Sequence, residues 1–250
     1  MTTTMRTGPT MLRRLLIGAS AALCAAALPV QVARAQELDG TSILVMSKTA
    51  GFHHESIPAG EAAILELARE EGFSVTFTQD AALFTPSMLG HFDAVVFLNT
   101  TGDILDSAQQ DAFEDYIGEG HGLLGIHAAA DTETDGGWPW YNRLIGAKFK
   151  SHPRVQQARL IPSEEDAAEL QATDEWYDFA DPVASRETLI AIDRDSYEGA
   201  ASSGMEPIVW TNSVDGARAF YIGLGHTDES YATPLLRGLL VRGLRYATGR

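Results

Sequence analysis

Asp93-Ala94-Val95-Val96-Phe97-Leu98-Asn99 and, a helix length later, Leu123-Leu124-Gly125-Ile126-His127 decide the fold. Each is a short, unbroken apolar run closed by a polar residue. That is the signature of a strand buried on both faces, as in a parallel sheet covered by helices. Between them Asp106 or Ser107 can cap a helix with Phe113, Tyr116 and Ile117 on one side, ended by Gly118 to Gly122.

Working outward towards the N-terminus, Ile43 to Ser47 is another apolar run. Ser56-Ile57-Pro58 opens a helix whose stripe of Ile64, Leu65 and Ala68 stops at Gly72, and Phe73 to Phe77 alternates as a strand does. The β-α-β-α-β-α-β order implies a parallel sheet with right-handed crossovers. Beyond Ile126 the pattern is less regular. Val155 to Ile161, Thr188 to Ile192, Ile208 to Thr211 and Ala219 to Ile222 read as strands, the last two joined as a hairpin through Asn212 to Arg218. Pro234 to Ala247 reads as a closing helix, and Thr132 to Gly137 and Tyr197 to Gly204 as loops. The expected architecture is a single α/β domain of the doubly wound type.

Residues 1–35 read as an export signal rather than as part of that domain. Arg6, Arg13 and Arg14 precede the uncharged run Leu15 to Val30, and Ala33-Arg34-Ala35 has the form of a cleavage site before Gln36. The layout fits Sec export, and Arg13-Arg14 also admits a twin-arginine signal. The expected location is periplasmic or secreted, with no stable membrane insertion after cleavage. The 250 residues contain 18 Lys and Arg against 34 Asp and Glu, a net charge of −16. Loss of residues 1–35 removes four Arg and no acid, leaving a net charge of −20 on residues 36–250. Such a surface repels phosphate backbones, so a nucleic-acid partner is excluded. The sole cysteine, Cys24, lies in the signal. Residues 36–250 therefore have no disulfide, no thiolate nucleophile and no cysteine metal ligand.

In an open parallel sheet, ligands bind beyond the carboxyl ends of the strands. Four of the seven histidines fall at such ends: His53 and His54 after the first strand, His127 after Ile126, and His226 after Gly223-Leu224-Gly225. His127 precedes three alanines that leave room above the strand. His54 precedes a helix N-terminus, a natural site for an anion. His53 is expected to point away from His54, and His91 and His121 to sit on the surface or in packing. The alternatives are a core histidine at His127, bonded to a backbone carbonyl, and a tight turn at His226. Asp131 and Asp228 could orient a histidine or act as a second acid–base group beside His127 and His226. Trp138, Trp140 and Tyr141 could stack on a ligand ring or plug the sheet. Trp176 and Tyr177, beside Asp174 and Glu175, could line the pocket from a lid or pack as one side of a short helix.

Further segments carry a resemblance. They are Lys48-Thr-Ala-Gly-Phe-His-His-Glu-Ser-Ile57, Gly125-Ile-His-Ala-Ala-Ala-Asp131, Trp140-Tyr141 through Gly146-Ala-Lys-Phe149 to His152-Pro153, and Thr173-Asp-Glu-Trp-Tyr177. Pro207-Ile-Val-Trp210 and Arg218-Ala-Phe-Tyr-Ile-Gly-Leu-Gly-His-Thr227 complete the set. From Ile43 to Thr248 the chain resembles the ThuA-like (trehalose utilisation) family. His53 stands where an arginine is usual, and Glu206 where a histidine usually precedes Pro207. The resemblance implies a flavodoxin-like, class I glutamine-amidotransferase-like fold over residues 36–250. Amidotransferases of that fold use a cysteine after a central strand; this chain has Gly125-Ile126-His127-Ala128 there, which excludes that chemistry.

The resemblance further implies a carbohydrate ligand, a disaccharide or an oxidised (keto) sugar. His127, Asp131, His226 and Asp228 are the expected catalytic residues. His54, Asn99, Trp138, Tyr141, Asp174 and Glu175 are the expected substrate contacts. A non-catalytic sugar-binding or partner protein of a sugar oxidoreductase system is the alternative. No metal site is assigned, because no two ligands share a compact spacing. His54, His127 and His226 with Asp131 or Asp228 nevertheless have the ligand types of Zn²⁺, should the fold bring them together.

Overall fold

Alternation within the buried strands sets the layers. In Ala94–Leu98, Val95 and Phe97 join one apolar cluster, while Ala94, Val96 and Leu98 join the other. In a strand successive side chains point to opposite faces, so a run apolar at every position must be covered on both.

The computed structural model describes residues 1–5, 37–133, 137–164 and 167–250. The expected export signal therefore lies almost wholly outside the described residues, and the expected loop Thr132 to Gly137 is described only at its ends. Contacts divide the chain between Ala35 and Gln36, and the second unit is the one described below.

Its elements alternate as expected up to the fourth strand: β1 (Ser42–Met46), α1 (Ile57–Glu71), β2 (Ser74–Thr78), a one-turn α2 (Pro86–Leu89), β3 (Ala94–Leu98), α3 (Ser107–Gly118) and β4 (Gly122–Ile126). Then follow α4 (Pro139–Ile145), β5 (Lys148–Ser151), β6 (Gln156–Pro162), β7 (Leu170–Asp174), β8 (Asp178–Ala180), β9 (Glu187–Asp193), β10 (Met205–Val214), β11 (Ala217–Ile222), α5 (Asp228–Ala232) and α6 (Pro234–Thr248). No helix among the described residues is long and apolar enough to cross a membrane.

The large sheet has the order β2-β1-β3-β4-β11-β10-β9-β6-β7. Its first five strands are parallel, in the flavodoxin-like arrangement, and the remaining pairings are antiparallel. The sheet is thus mixed, its second half built from hairpin pairings. β10 and β11 are joined through Asp215-Gly216, both at positive φ, the requirement of a tight hairpin turn that favours Asp-Gly. β5 and β8 pair separately. β5, β7 and β8 carry no strand signal in the sequence, because all three are short and β5 and β7 place polar residues on exposed positions.

One face of the parallel half packs Ile64 and Leu67 of α1 with Leu236, Leu240 and Leu244 of α6. The other packs Phe113, Tyr116 and Ile117 of α3 with Tyr141 and Leu144 of α4. Each fully buried large side chain contributes about 1.5–3 kcal/mol relative to exposure. With no disulfide in this unit, these two layers hold the sheet. They also fix the ends of β1, β3, β4 and β11 side by side, as the register Leu98↔Ile126↔Ile222 records.

Candidate functional site

The segments that follow β1, β3 and β4 are bound into one platform by backbone contacts. Ala50 and Gly51, after β1, donate to the Thr101 carbonyl at 2.7 and 3.3 Å, and Gly102 donates to the Asp131 carbonyl at 3.0 Å. At the exits of β3 and β4 the chain turns sharply: Asn99 and His127 have φ of 51° and 47°. Such left-handed conformations cost a non-glycine residue energy, and they cluster where surrounding structure holds a side chain to a task.

Asn99 is fully buried and braces the platform. Its amide nitrogen donates to Ser56 Oγ at 3.0 Å and to the Gly225 carbonyl at 3.1 Å. Asp174 braces it from the end of β7. Its carboxylate accepts from the backbone nitrogens of Gly225 and His226 at 2.9 and 3.0 Å, and from Ser230 Oγ at 2.6 Å. A Cβ on Gly225, whose φ is +126°, would lie 2.7 Å from the Tyr231 hydroxyl, so only glycine lets the backbone approach Asp174 in this way.

On this platform His54, His127, His226 and Glu175 converge: one potential ligand atom from each lies within 4.8 Å of all the others. The three imidazoles surround a common point, with ring centroids 5.0, 5.3 and 5.4 Å apart and interplanar angles of 90°, 85° and 73°. His127 Nδ1 lies 3.1 Å from the Gly223 carbonyl. Since a carbonyl only accepts, Nδ1 carries a proton, and in the neutral ring Nε2 is the nitrogen with the lone pair. Glu175 Oε2 lies 3.5 Å from His127 Nε2 and 3.2 Å from His226 Nδ1, without the alignment of full hydrogen bonds. Its other oxygen, Oε1, lies 2.9 Å from His152 Nδ1.

Burial, reinforced by the neighbouring His127 and His226, lowers the His54 imidazole to about 3, so it is neutral near pH 7. Burial alone would raise the Glu175 carboxyl; the close approach of His127 and His226 overrides it and holds the group at about 2. The same approach of Glu175 raises the His226 imidazole against its partial burial.

Above the cluster is a cavity of about 230 Å³, lined by Phe52, His54, Asp131, Phe149, His152, Glu175, Tyr177 and His226. Of the expected site residues, His54, Asp131, Glu175 and His226 line it, and His127 lies beneath, wholly buried. His127 keeps the carbonyl bond of a core histidine while its second nitrogen faces the cluster, so both readings of it apply. Asn99 and Asp174 hold the backbone rather than face the cavity.

Two expectations are corrected, and a third is decided between its alternatives. Trp138 and Tyr141 are the plug, buried in the core, with Trp138 Nε1 donating to Glu114 and the Tyr141 hydroxyl to the Ala129 carbonyl. Asp228 stands at the start of α5, beside a separate surface hollow with Glu66, Tyr231 and Arg237. Trp176 and Tyr177 lie in an extended link between β7 and β8, not a helix; Trp176 is buried with its Nε1 on the Gln156 carbonyl, and Tyr177 reaches the cavity. His152, Phe52 and Phe149 were not among the expected site residues. The only sequence signal for them was their place in the quoted motifs.

Residues 42–247 match the family described as Trehalose utilisation (ThuA). No protein of curated function matches the chain. Among solved structures, a ThuA-like protein from Bacteroides uniformis is similar with a TM-score of 0.71 and 24% identity, over 88% of this chain and 95% of that one. A ThuA-like protein from Parabacteroides merdae has a TM-score of 0.70 and 20% identity, over 83% and 90%. The β-galactosidase of Bacillus circulans is similar in fold alone, with a TM-score of 0.53 and 9% identity over 83% of this chain and 30% of its own. Since the family match runs from the first residue of β1 almost to the end of α6, the chain belongs to the trehalose-utilisation (ThuA) family.

Proposed function

We propose that the strand-end cavity binds one ring of a sugar or of an oxidised (keto) sugar, and that the chain processes it in carbohydrate utilisation without a cysteine nucleophile. The observation that carries this reading is the lining: Phe52, Phe149 and Tyr177 offer aromatic walls, while Asp131, His152 and His226 offer polar groups able to bond hydroxyls. At about 230 Å³ the cavity falls below the roughly 300–1,000 Å³ of drug-sized pockets, so a single ring is the fitting unit and a second ring extends outside. Asp131 and His152 are the groups in reach of a bound hydroxyl for proton transfer. Export through residues 1–35 belongs to the same reading, and sets the work in the periplasm or outside the cell.

The test is a calorimetric titration of the protein with monosaccharides, disaccharides and their keto derivatives, beside Phe52→Ala. Phe52 is 63% exposed, so its loss leaves the core intact. Binding of one sugar class, weakened about two- to tenfold in Phe52→Ala by loss of an aromatic contact worth about 0.5–1.5 kcal/mol, is expected. Silence of the whole panel would sink the reading. Binding with no turnover of any bound sugar would favour the sugar-binding partner instead.

A further inference from the structure

We propose that His54, His127, His226 and Glu175 form a site for one divalent first-row transition-metal ion of the zinc class, at the floor of the cavity. The inference deepens the sugar-pocket reading, since the ion would face a ligand oxygen, but it rests on independent geometry.

The first support is unmet bonding. His54 Nδ1, His127 Nε2 and His226 Nδ1 are buried nitrogens that make no hydrogen bond among the described residues. Each such group costs about 1–3 kcal/mol when left unpaired, and native structures rarely tolerate one without a reason. Here three of them stand in one cluster, around one carboxylate.

The second support is spacing. Zinc bonds nitrogen and carboxylate oxygen at about 2.0–2.2 Å, so neighbouring ligands of a tetrahedral site stand about 3.3–3.6 Å apart. The distances from Glu175 Oε2 to His226 Nδ1 and His127 Nε2 are 3.2 and 3.5 Å. The near-perpendicular imidazole planes let each ring direct an in-plane lone pair to the shared point without the rings colliding.

Outer contacts supply the third. His127 donates through Nδ1 to the Gly223 carbonyl, the arrangement that orients a ligating histidine and fixes its tautomer. Glu175 Oε1 is engaged by His152, which leaves Oε2 for the ion. Asp174 holds the backbone of His226 in place through the Gly225 and His226 nitrogens. Three imidazoles and one carboxylate suit zinc, ferrous or related ions; calcium and magnesium prefer all-oxygen sets. His54, Glu175 and His226 also line the cavity, so a sugar hydroxyl or keto oxygen could take a further coordination position.

The experiment needs no sugar. The full-length, untagged chain is stripped with a chelator, dialysed against Zn²⁺ and then against metal-free buffer, and its metal content measured. Replacement by Co²⁺ is followed by visible d–d absorption. One zinc per chain and a tetrahedral-type cobalt spectrum are expected. His226→Ala and Glu175→Gln should each weaken zinc binding by about 100-fold or more. His152→Ala, which removes the contact to Glu175 Oε1 and to no other member of the cluster, should weaken it by about 10- to 100-fold while the fold is kept by circular dichroism. Failure of the wild-type chain to retain zinc, or retention undiminished in His226→Ala and Glu175→Gln, overturns the proposal. Because wild-type retention is read first, a variant that does not fold leaves the test standing. Zinc retention with a silent sugar panel would keep this site and remove the sugar reading; sugar binding by a chain that holds no zinc would do the reverse.

Discussion

Glu133 shows at the residue scale how a buried loop carboxyl comes to hold a proton. Its Oε1 accepts from the Ile104 nitrogen at 2.9 Å, while Lys48 Nζ donates to the Ile104 carbonyl at 2.7 Å. Burial, with a hydrogen bond and like charge from Asp103, pushes the Glu133 carboxyl from 4.5 to about 7. The folded protein therefore keeps a proton that the unfolded chain has released. The stability this contributes is fully present below about pH 4.5 and is lost as pH rises towards about 7. Glu133→Gln keeps both hydrogen bonds without the titration. Calorimetric Tm profiles of the two proteins between those pH values should diverge, the variant losing less stability on the way up. Parallel profiles would mean that Glu133 ionises normally.

Elements place these side chains, and α3 illustrates how local chemistry does so. Asp106 accepts from the Gln109 nitrogen at 3.0 Å, and the Gln109 side chain accepts from the Asp106 nitrogen at 2.9 Å, a complete capping box. Phe113, Tyr116 and Ile117 then fall on the buried side against Phe97 and Phe84. Asp106→Ala should cost about 1 kcal/mol in urea unfolding, with an unchanged slope, because only the cap is lost. A cost near zero would show that packing alone positions this helix. The order of α1, β2, β3, α3 and β4 was readable from period and caps for this reason: the signals are local. The antiparallel half was harder to read. β5, β7 and β8 are short and polar, and their pairing depends on partners far along the chain.

At the scale of the whole molecule, 34 acidic residues face 18 basic ones. Arg237 bridges Glu66 and Glu70 at 3.0 and 2.9 Å, and Arg245 bridges Glu37 and Glu71 at 3.1 and 3.2 Å, so α6 is tied to α1 across exposed surface. Exposed pairs contribute only about 0–1 kcal/mol each. The formal net charge of −16 leaves an acidic excess, so self-repulsion should dominate. Raising ionic strength from about 0.01 to 0.15 M shortens the screening length from about 30 to 8 Å, and the thermal midpoint should rise. A fall would show that the bridges, not the repulsion, control stability.

The sequence by itself determined the β-α-β order, the absence of a thiolate in residues 36–250, and the strand ends as the place for a site. Apolar runs, caps and composition are properties of neighbouring residues, so they need no fold to be read. It also singled out His54, His127 and His226 by their position after strands. Tertiary structure alone decided that Glu175, not Asp131 or Asp228, joins them. The reason is distance along the chain: Glu175 follows β7, an antiparallel strand with no place in the expected topology, and Asp174 anchors that strand's end to the Gly225–His226 turn. It likewise decided that Trp138 and Tyr141 fill the core, because only packing distinguishes an aromatic that plugs a sheet from one that faces a cavity.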